Sequence, residues 1–252
     1  MLILFENQIT LLFILFIVAL IAAIMDAIAG GGGLIVVPIL LLLGLGPLET
    51  LGTNKLQAAF GTLTSSINYS RKLGYKNKGF IKLFITSLIA SITGATFIVR
   101  VPTELLLKII PVLLIAVAIF FAIQKDLNVL KESKFSFYPF LIFIVLISLY
   151  DSLIGPGAGS FYMIAFVALR GMHILEATLN TKIVNFASNF GSLIIFVLLG
   201  YVNYRIGIVM CAGQVIGSYI GSNLTLKKGS KIIKPTLITV SILMSLRLLF
   251  TS

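Results

Sequence analysis

Apolar runs of membrane-spanning length recur from one end of the chain to the other, and that recurrence decides what the chain can fold into. They fall at roughly 9–28, 34–45, 54–70, 80–99, 104–123, 138–154, 159–169, 181–199, 203–225 and 232–250. A hydrocarbon core about 30 Å thick is crossed by about 20 helical residues, so most of these runs match a bilayer. Of the 252 residues, 59% are hydrophobic and 11% charged, and the mean hydropathy is +1.13, far from an average soluble domain. The expected fold is an all-α polytopic membrane protein. Met1 to Gln8 carries Glu6 but no Lys or Arg, so it lacks the basic stretch of a cleavable signal and the first run is expected to be retained as a helix.

Two runs are too short to cross. Leu34–Leu45 and Ser160–Leu169 suit half-helices or re-entrant segments, and each follows a helix-breaking glycine cluster, Gly30 to Gly33 in one case and Gly155-Pro156-Gly157-Ala158-Gly159 in the other. The chain also repeats itself. Asp26-Ala-Ile-Ala-Gly30 matches Asp151-Ser-Leu-Ile-Gly155, Glu49 to Lys55 matches Glu176 to Lys182, Gly74-Tyr75 matches Gly200-Tyr201, and Gly94 matches about Gly217. The expected organisation is a first transmembrane repeat over 1–125, a cytoplasmic linker over 126–137 and a second repeat over 138–252.

Lys and Arg favour cytoplasmic loops. Residues 71–82, 124–137 and 227–234 are Lys-rich, whereas the amino end and the loops near Arg100 and Arg205 are poor, and the carboxyl end has only Arg247 close by. The three rich loops are expected inside, and both chain ends, Glu49 and Arg205 outside. The rich loop follows the third run in half one but moves one loop later in half two. That shift implies two inverted-topology repeats, each a glycine-broken re-entrant hairpin plus about three full spans. Inverted repeats with broken helices are a common organisation of secondary transporters.

The formal net charge of +11 does not imply nucleic acid, because the basic residues are spread over short loops rather than gathered on one soluble face. A single cysteine, Cys211, and a single histidine, His173, exclude an intrachain disulfide, a cysteine-rich metal site and most metal or triad chemistry. Gly30 to Gly33 leads into Leu34-Ile35-Val36-Val37 rather than a Gly-Lys-Ser/Thr loop, so no ATP hydrolysis is implied. No cofactor or metal is expected, and the chain is not expected to be an enzyme.

Charged residues inside a bilayer cost about 2.5–3.5 kcal/mol each, so those that occur call for a reason. Asp26 and Asp151 end the first helix of each half, and Lys55 and Lys182 open the helix after each half-helix. Their repetition at equivalent places favours function over chance. Gly31, Gly32, Gly33 and Gly157 sit where half-helix N–H groups can receive an anion, or where two helices cross closely. Asn54, Lys55, Gln57 and Thr62 in half one, with Thr181, Lys182, Asn185 and Asn189 in half two, are candidates to line one cavity. The plain alternative is snorkelling lysines and capping amides. Asp26 and Asp151 are either caps of the half-helices or carriers of a transported proton. Together these residues describe a site for a small oxyanion.

At these residues the chain resembles the sulfite exporter family of the TauE/SafE type, also called the toluene sulfonate uptake permease family. The resemblance rests on Asp26 to Gly33 with Pro38, on Gly52-Thr-Asn-Lys-Leu-Gln-Ala58 with Gly61-Thr62, and on Asn180-Thr-Lys-Ile-Val-Asn-Phe-Ala-Ser-Asn189. It covers almost the full chain and implies transport of sulfite, sulfonates or related anions across a bacterial inner membrane. The expected partners are a small anionic substrate and the lipid bilayer; the oligomeric state is open. Export by alternating access is the leading expectation, with an anion channel next and an intramembrane enzyme or a scaffolding subunit behind.

Overall fold

In the computed structural model, which describes residues 8–74, 79–123 and 135–228, the chain forms helices throughout. They are α1 Gln8–Ala29, α2 Gly33–Leu42, α3 Pro47–Leu73, α4 Phe80–Ile98, α5 Thr103–Ile123, α6 Phe137–Leu153, α7 Ala158–Arg170, α8 Ile174–Leu198 and α9 Tyr204–Lys228. Among the described residues there is no strand. The amino-terminal stretch 1–7, most of the 124–137 loop and the last apolar run at 232–250, with the carboxyl end, lie outside the described residues.

The glycine clusters break helices as expected. Gly30 and Gly155 follow α1 and α6 with φ of 77° and 90°, a left-handed conformation that L side chains resist. The half-helices α2 and α7 have 10 and 13 residues, or about 15 and 20 Å at 1.5 Å per residue, short of a bilayer. Among the described residues three helices are long and apolar enough to cross one by length and composition: α1, α4 and α8.

Two helices begin earlier than their apolar runs. Those runs start at 54 and 181, which puts Lys55 and Lys182 at the helix openings. Instead α3 starts at Pro47 and α8 at Ile174, so each lysine is the ninth residue of its helix. The cause is local chemistry: Pro47 is pre-organised for a first helical turn and Glu49 suits the positive end of the dipole. At α8, His173 is the N-cap and its Nδ1 accepts from Leu175 N at 3.5 Å. The polar blocks are therefore helical interior, and their amides do not cap helix starts.

Packing follows one scheme in both halves. α1 lies along α9 and α6 along α4, while α3 and α8 pair at the centre, α3 also meeting α9 and α8 also meeting α4. Small residues permit the close approach. Gly213, Gly217 and Gly221 of α9 face the backbone of Phe16, Leu20 and Ile24 in α1, and Gly94 of α4 faces Leu149 and Ser152 in α6.

The polarity is inside out. Ile9, Phe13, Ile17 and Ile21 of α1, Ile81, Ile85 and Ile89 of α4, and Ile142 and Leu146 of α6 are exposed. Thr50, Thr53, Asn54, Lys55, Gln57, Asn68, Asn180, Thr181, Lys182 and Gln214 are buried. In water this arrangement would leave long apolar stripes bare; in a bilayer it places apolar side chains in lipid and polar ones in the protein.

Loop residues gather at two ends. At one, Arg205 bonds Gln8, Asn203 Nδ2 donates to Glu49 Oε1 at 2.9 Å, and Val99 and Val101 pack with Leu48, Leu51 and Val202. At the other, Arg170 donates to Phe135 O at 2.7 Å and Lys82 to Tyr138 Oη at 3.0 Å, while Leu73, Phe80 and Leu226 share an apolar cluster.

Candidate functional site

The two glycine breaks meet in the centre of the molecule. Ser160 Oγ donates to Ala29 O at 2.8 Å and to Gly30 O at 2.5 Å, and a Cβ on Gly30 would overlap the backbone of Gly159 and Ser160. At least these two glycines are therefore required by the close crossing, whatever the cluster binds.

Each break is held by an ion pair from the other half. Lys55 Nζ in α3 donates to Asp151 Oδ1 at 2.7 Å, to Asp151 O at 2.6 Å and to Asn189 Oδ1 at 3.2 Å. Lys182 Nζ in α8 donates to Asp26 Oδ2 at 3.0 Å and also to Asp26 O. Both lysines are 1% exposed. The pairs are repeat-related and crossed, so the same lysine-to-carboxylate clasp is built twice between opposite halves. A lysine this deep is sustained by its full set of acceptors, because removing one ion from such a pair leaves an uncompensated buried charge.

The aspartates differ in their second oxygen. Asp26 Oδ1 accepts from Gly31 N at 3.0 Å and Gly32 N at 3.2 Å, capping the start of α2. Asp151 Oδ2 is buried and has no hydrogen-bond partner among the described residues.

Beside the crossing lies a cavity of about 30 Å³. Of the residues singled out by sequence, Gly31, Gly32, Gly33, Asn54, Gln57, Thr62, Gly157, Asn185, Asn189, Asp26 and Asp151 line it. Lys55, Thr181 and Lys182 do not; the lysines stand behind the aspartates, and Thr181 Oγ1 is buried without a partner among the described residues. Gln214, Gly155, Gly159 and Ala58 complete the lining. Gln214 was missed, although an amide within the apolar run 203–225 is the same signal that marked the others.

Amide side chains give the cavity its character. Gln214 Nε2 donates to Gln57 Oε1 at 2.6 Å, and Gln57 Nε2 to Asn54 Oδ1 at 2.9 Å. Asn189 Nδ2 donates to Asn185 Oδ1 at 3.0 Å. Among the described residues the first chain leaves Asn54 Nδ2 and Gln214 Oε1 over, and the second leaves Asn185 Nδ2, since Lys55 takes Asn189 Oδ1. Asn54 Nδ2, near Gly33, and Asn185 Nδ2, near Gly159, face the half-helix starts with no acceptor of their own among the described residues. At the amino ends of α2 and α7, which point positive dipole ends at the cavity, Gly31 N and Gly32 N are taken by Asp26, Leu34 N by Gly31 O and Ser160 N by Gly157 O, so the side-chain amides are the main donors. No group of three or more His, Cys, Asp or Glu that could hold a metal occurs among the described residues.

Apolar outer faces, short glycine-broken helices and a buried polar cavity define a polytopic membrane protein rather than a soluble binding protein. The comparisons with known proteins place it further. The description "Sulfite exporter TauE/SafE" matches residues 15–248, and the chain belongs to that family. It is 42% identical to a probable membrane transporter protein of Sinorhizobium sp over 95% of this chain and 92% of that one. It is 38% identical to probable membrane transporter protein YfcA of Escherichia coli over 96% and 91%, and 35% identical to one from Haemophilus influenzae over 96% of both. These relatives are named as transporters and not as enzymes. No solved structure matches the chain.

Proposed function

We propose that the chain carries small sulfur-containing oxyanions (sulfite, sulfonates or related species) out across a bacterial inner membrane by alternating access. The observation that carries this reading is the convergence of Asn54 Nδ2, Asn185 Nδ2 and the amino ends of α2 and α7 on one cavity. Donors without acceptors recognise a ligand made of acceptors. The cavity, at about 30 Å³, is about tenfold below the range of drug-sized pockets, which suits a ligand of a few heavy atoms held while the halves are closed.

Gly33 and Gly157 would supply backbone contacts, Gly31 and Gly32 would leave room for the ligand while Asp26 holds their N–H groups, and Gln57, Thr62 and Asn189 would orient or touch the ligand. Lys55, Lys182 and Thr181 act from behind the lining, the lysines by clasping the two glycine breaks. The halves, 1–125 and 138–252 joined by 126–137, are read as inverted repeats. The gathering of Gln8, Glu49 and Arg205 at one end and of Lys82, Phe135 and Arg170 at the other supports that reading, with the first end outside. Export is favoured energetically, because a membrane potential of about 100 mV, negative inside, contributes about 2.3 kcal/mol per elementary charge.

The test is thermal-shift titration of the purified protein with sulfite, thiosulfate, sulfate and a short alkyl sulfonate, beside Asn54→Leu and Asn185→Leu. Selective stabilisation by a sulfur oxyanion, about 2.7 kcal/mol at a hundredfold excess over Kd and lost in both variants, is expected. Stabilisation by none of the four would overturn the ligand class.

A further inference from the structure

The charges around the cavity already cancel. Asp26 and Asp151 are the ionisable residues lining it, and each is matched by one lysine behind it, Lys182 at 3.0 Å and Lys55 at 2.7 Å. An entering anion therefore adds net negative charge where water is largely excluded, and uncompensated charge there is expensive. Amide donors solvate the anion but do not neutralise it.

One oxygen is positioned to correct the balance. Asp151 is 2% exposed, and its Oδ2 is buried without a partner among the described residues while Oδ1 and the main-chain oxygen hold Lys55. The repeat-related Asp26 has no such vacancy, since Gly31 N and Gly32 N occupy Oδ1 and Lys182 occupies Oδ2. Among the described residues nothing else offers Asp151 a charge to compensate an anion. Lys55 reaches it from α3, and Asn189 of α8 acts only through that lysine. Tyr162 of α7 is hydrogen-bonded to Ser148, and Tyr150 of its own helix donates to Pro156 O. α4 presents Ser87 and Gly94, both uncharged.

We propose that Asp151 Oδ2 takes up one proton with each anion, so that the two move together, while Asp26 remains a fixed cap. Protonation converts the orphan acceptor into an O–H donor and leaves Lys55 as the cation that neutralises the bound anion. A monoanion then crosses with its proton as a neutral pair on which the membrane potential does no work, so the outward drive of the potential acts only on a dianion, which keeps one charge. This inference rests on the oxyanion reading above.

The test uses the intact protein in detergent and a short alkyl sulfonate, which does not itself titrate across the neutral range. Linkage of one proton to one anion requires the Kd to weaken by up to about tenfold for each unit by which pH is raised. Calorimetry in two buffers of different ionisation heat should show about one proton taken up per anion. Asp151→Asn, which keeps an oxygen for Lys55 Nζ and offers an amide donor at the second position, should bind with a flat pH profile. Asp26→Asn should keep the slope whatever its affinity. Replacing sodium with choline should change nothing. Binding with a flat profile and no proton uptake in the unaltered protein overturns the coupling but leaves the oxyanion reading standing. A retained slope in Asp151→Asn overturns the assignment to that residue, and a sodium requirement overturns the proton. No binding at any pH overturns the oxyanion reading and this inference with it. Where Asp151→Asn fails to fold, the proton count in the unaltered protein still decides.

Discussion

Asp26 and Asp151 stand at matching places in the repeat, yet the fold gives one three partners and the other a vacant oxygen. The lysines show the complementary effect, a shared role set by contacts 96 and 156 residues apart along the chain. Because each clasp is deep, removing one member should cost more than removing both. Lys55→Met or Asp151→Leu alone is expected to lower stability by about 3–5 kcal/mol. The double variant should lose less than either single one, read by denaturant unfolding in detergent as a double-mutant cycle; additive losses would mean the pair is not coupled. Repetition of Asp and Lys was visible in the sequence. Their crossed pairing was not, because it depends on how α3 meets α6 and α8 meets α1. Gln214 shows the converse, a residue whose signal was present but which stands outside the repeated Asp, Lys and Asn blocks that drew attention to the others.

The elements were legible wherever apolar runs coincide with helices, and least so where polar residues extend a helix. Length alone separated α2 and α7 from the spanning helices, since they have only 10 and 13 residues. The starts of α3 and α8 were missed because Glu49 to Asn54 and Glu176 to Thr181 look like loop when only hydropathy is followed, whereas Pro47 and the buried face of each block mark helix. Glycines divide in the same way between conformation, crossing and neither. Gly30→Ala meets both a left-handed φ of 77° and the backbone of Gly159 and Ser160, so it should lose about 1–2 kcal/mol to conformation and about 1–3 kcal/mol to overlap. Gly46, at φ of −58° with nothing within 4 Å of where an alanine methyl would sit, should accept Ala for at most about 1 kcal/mol. Melting temperatures of the two variants in one detergent check the contrast, and equal losses would remove the crossing as the reason for Gly30.

At the scale of the whole molecule, the two gatherings of loop residues make the orientation of the halves testable without reference to substrate. Loop lysines and repeated blocks pointed to this arrangement in the sequence, because charge in a short loop reports the side on which it stays. What they could not supply was contact between loops far apart in the chain, such as Gln8 with Arg205 or Phe135 with Arg170. If the halves are inverted, Arg100 and Arg205 lie on one side of the membrane and Lys82 and Tyr138 on the other. Single cysteines at these four places, in a Cys211→Ser background that removes the buried native thiol, should divide cleanly. In intact cells stripped of their outer membrane, a membrane-impermeant maleimide should label positions 100 and 205, and positions 82 and 138 only after permeabilisation. Labelling of 82 and 138 alone would reverse the sidedness but keep the inversion. Labelling of 100 and 205 from opposite sides would break it, since the loop after α4 and the loop before α9 share one end only when the second half enters the membrane from the side opposite to the first.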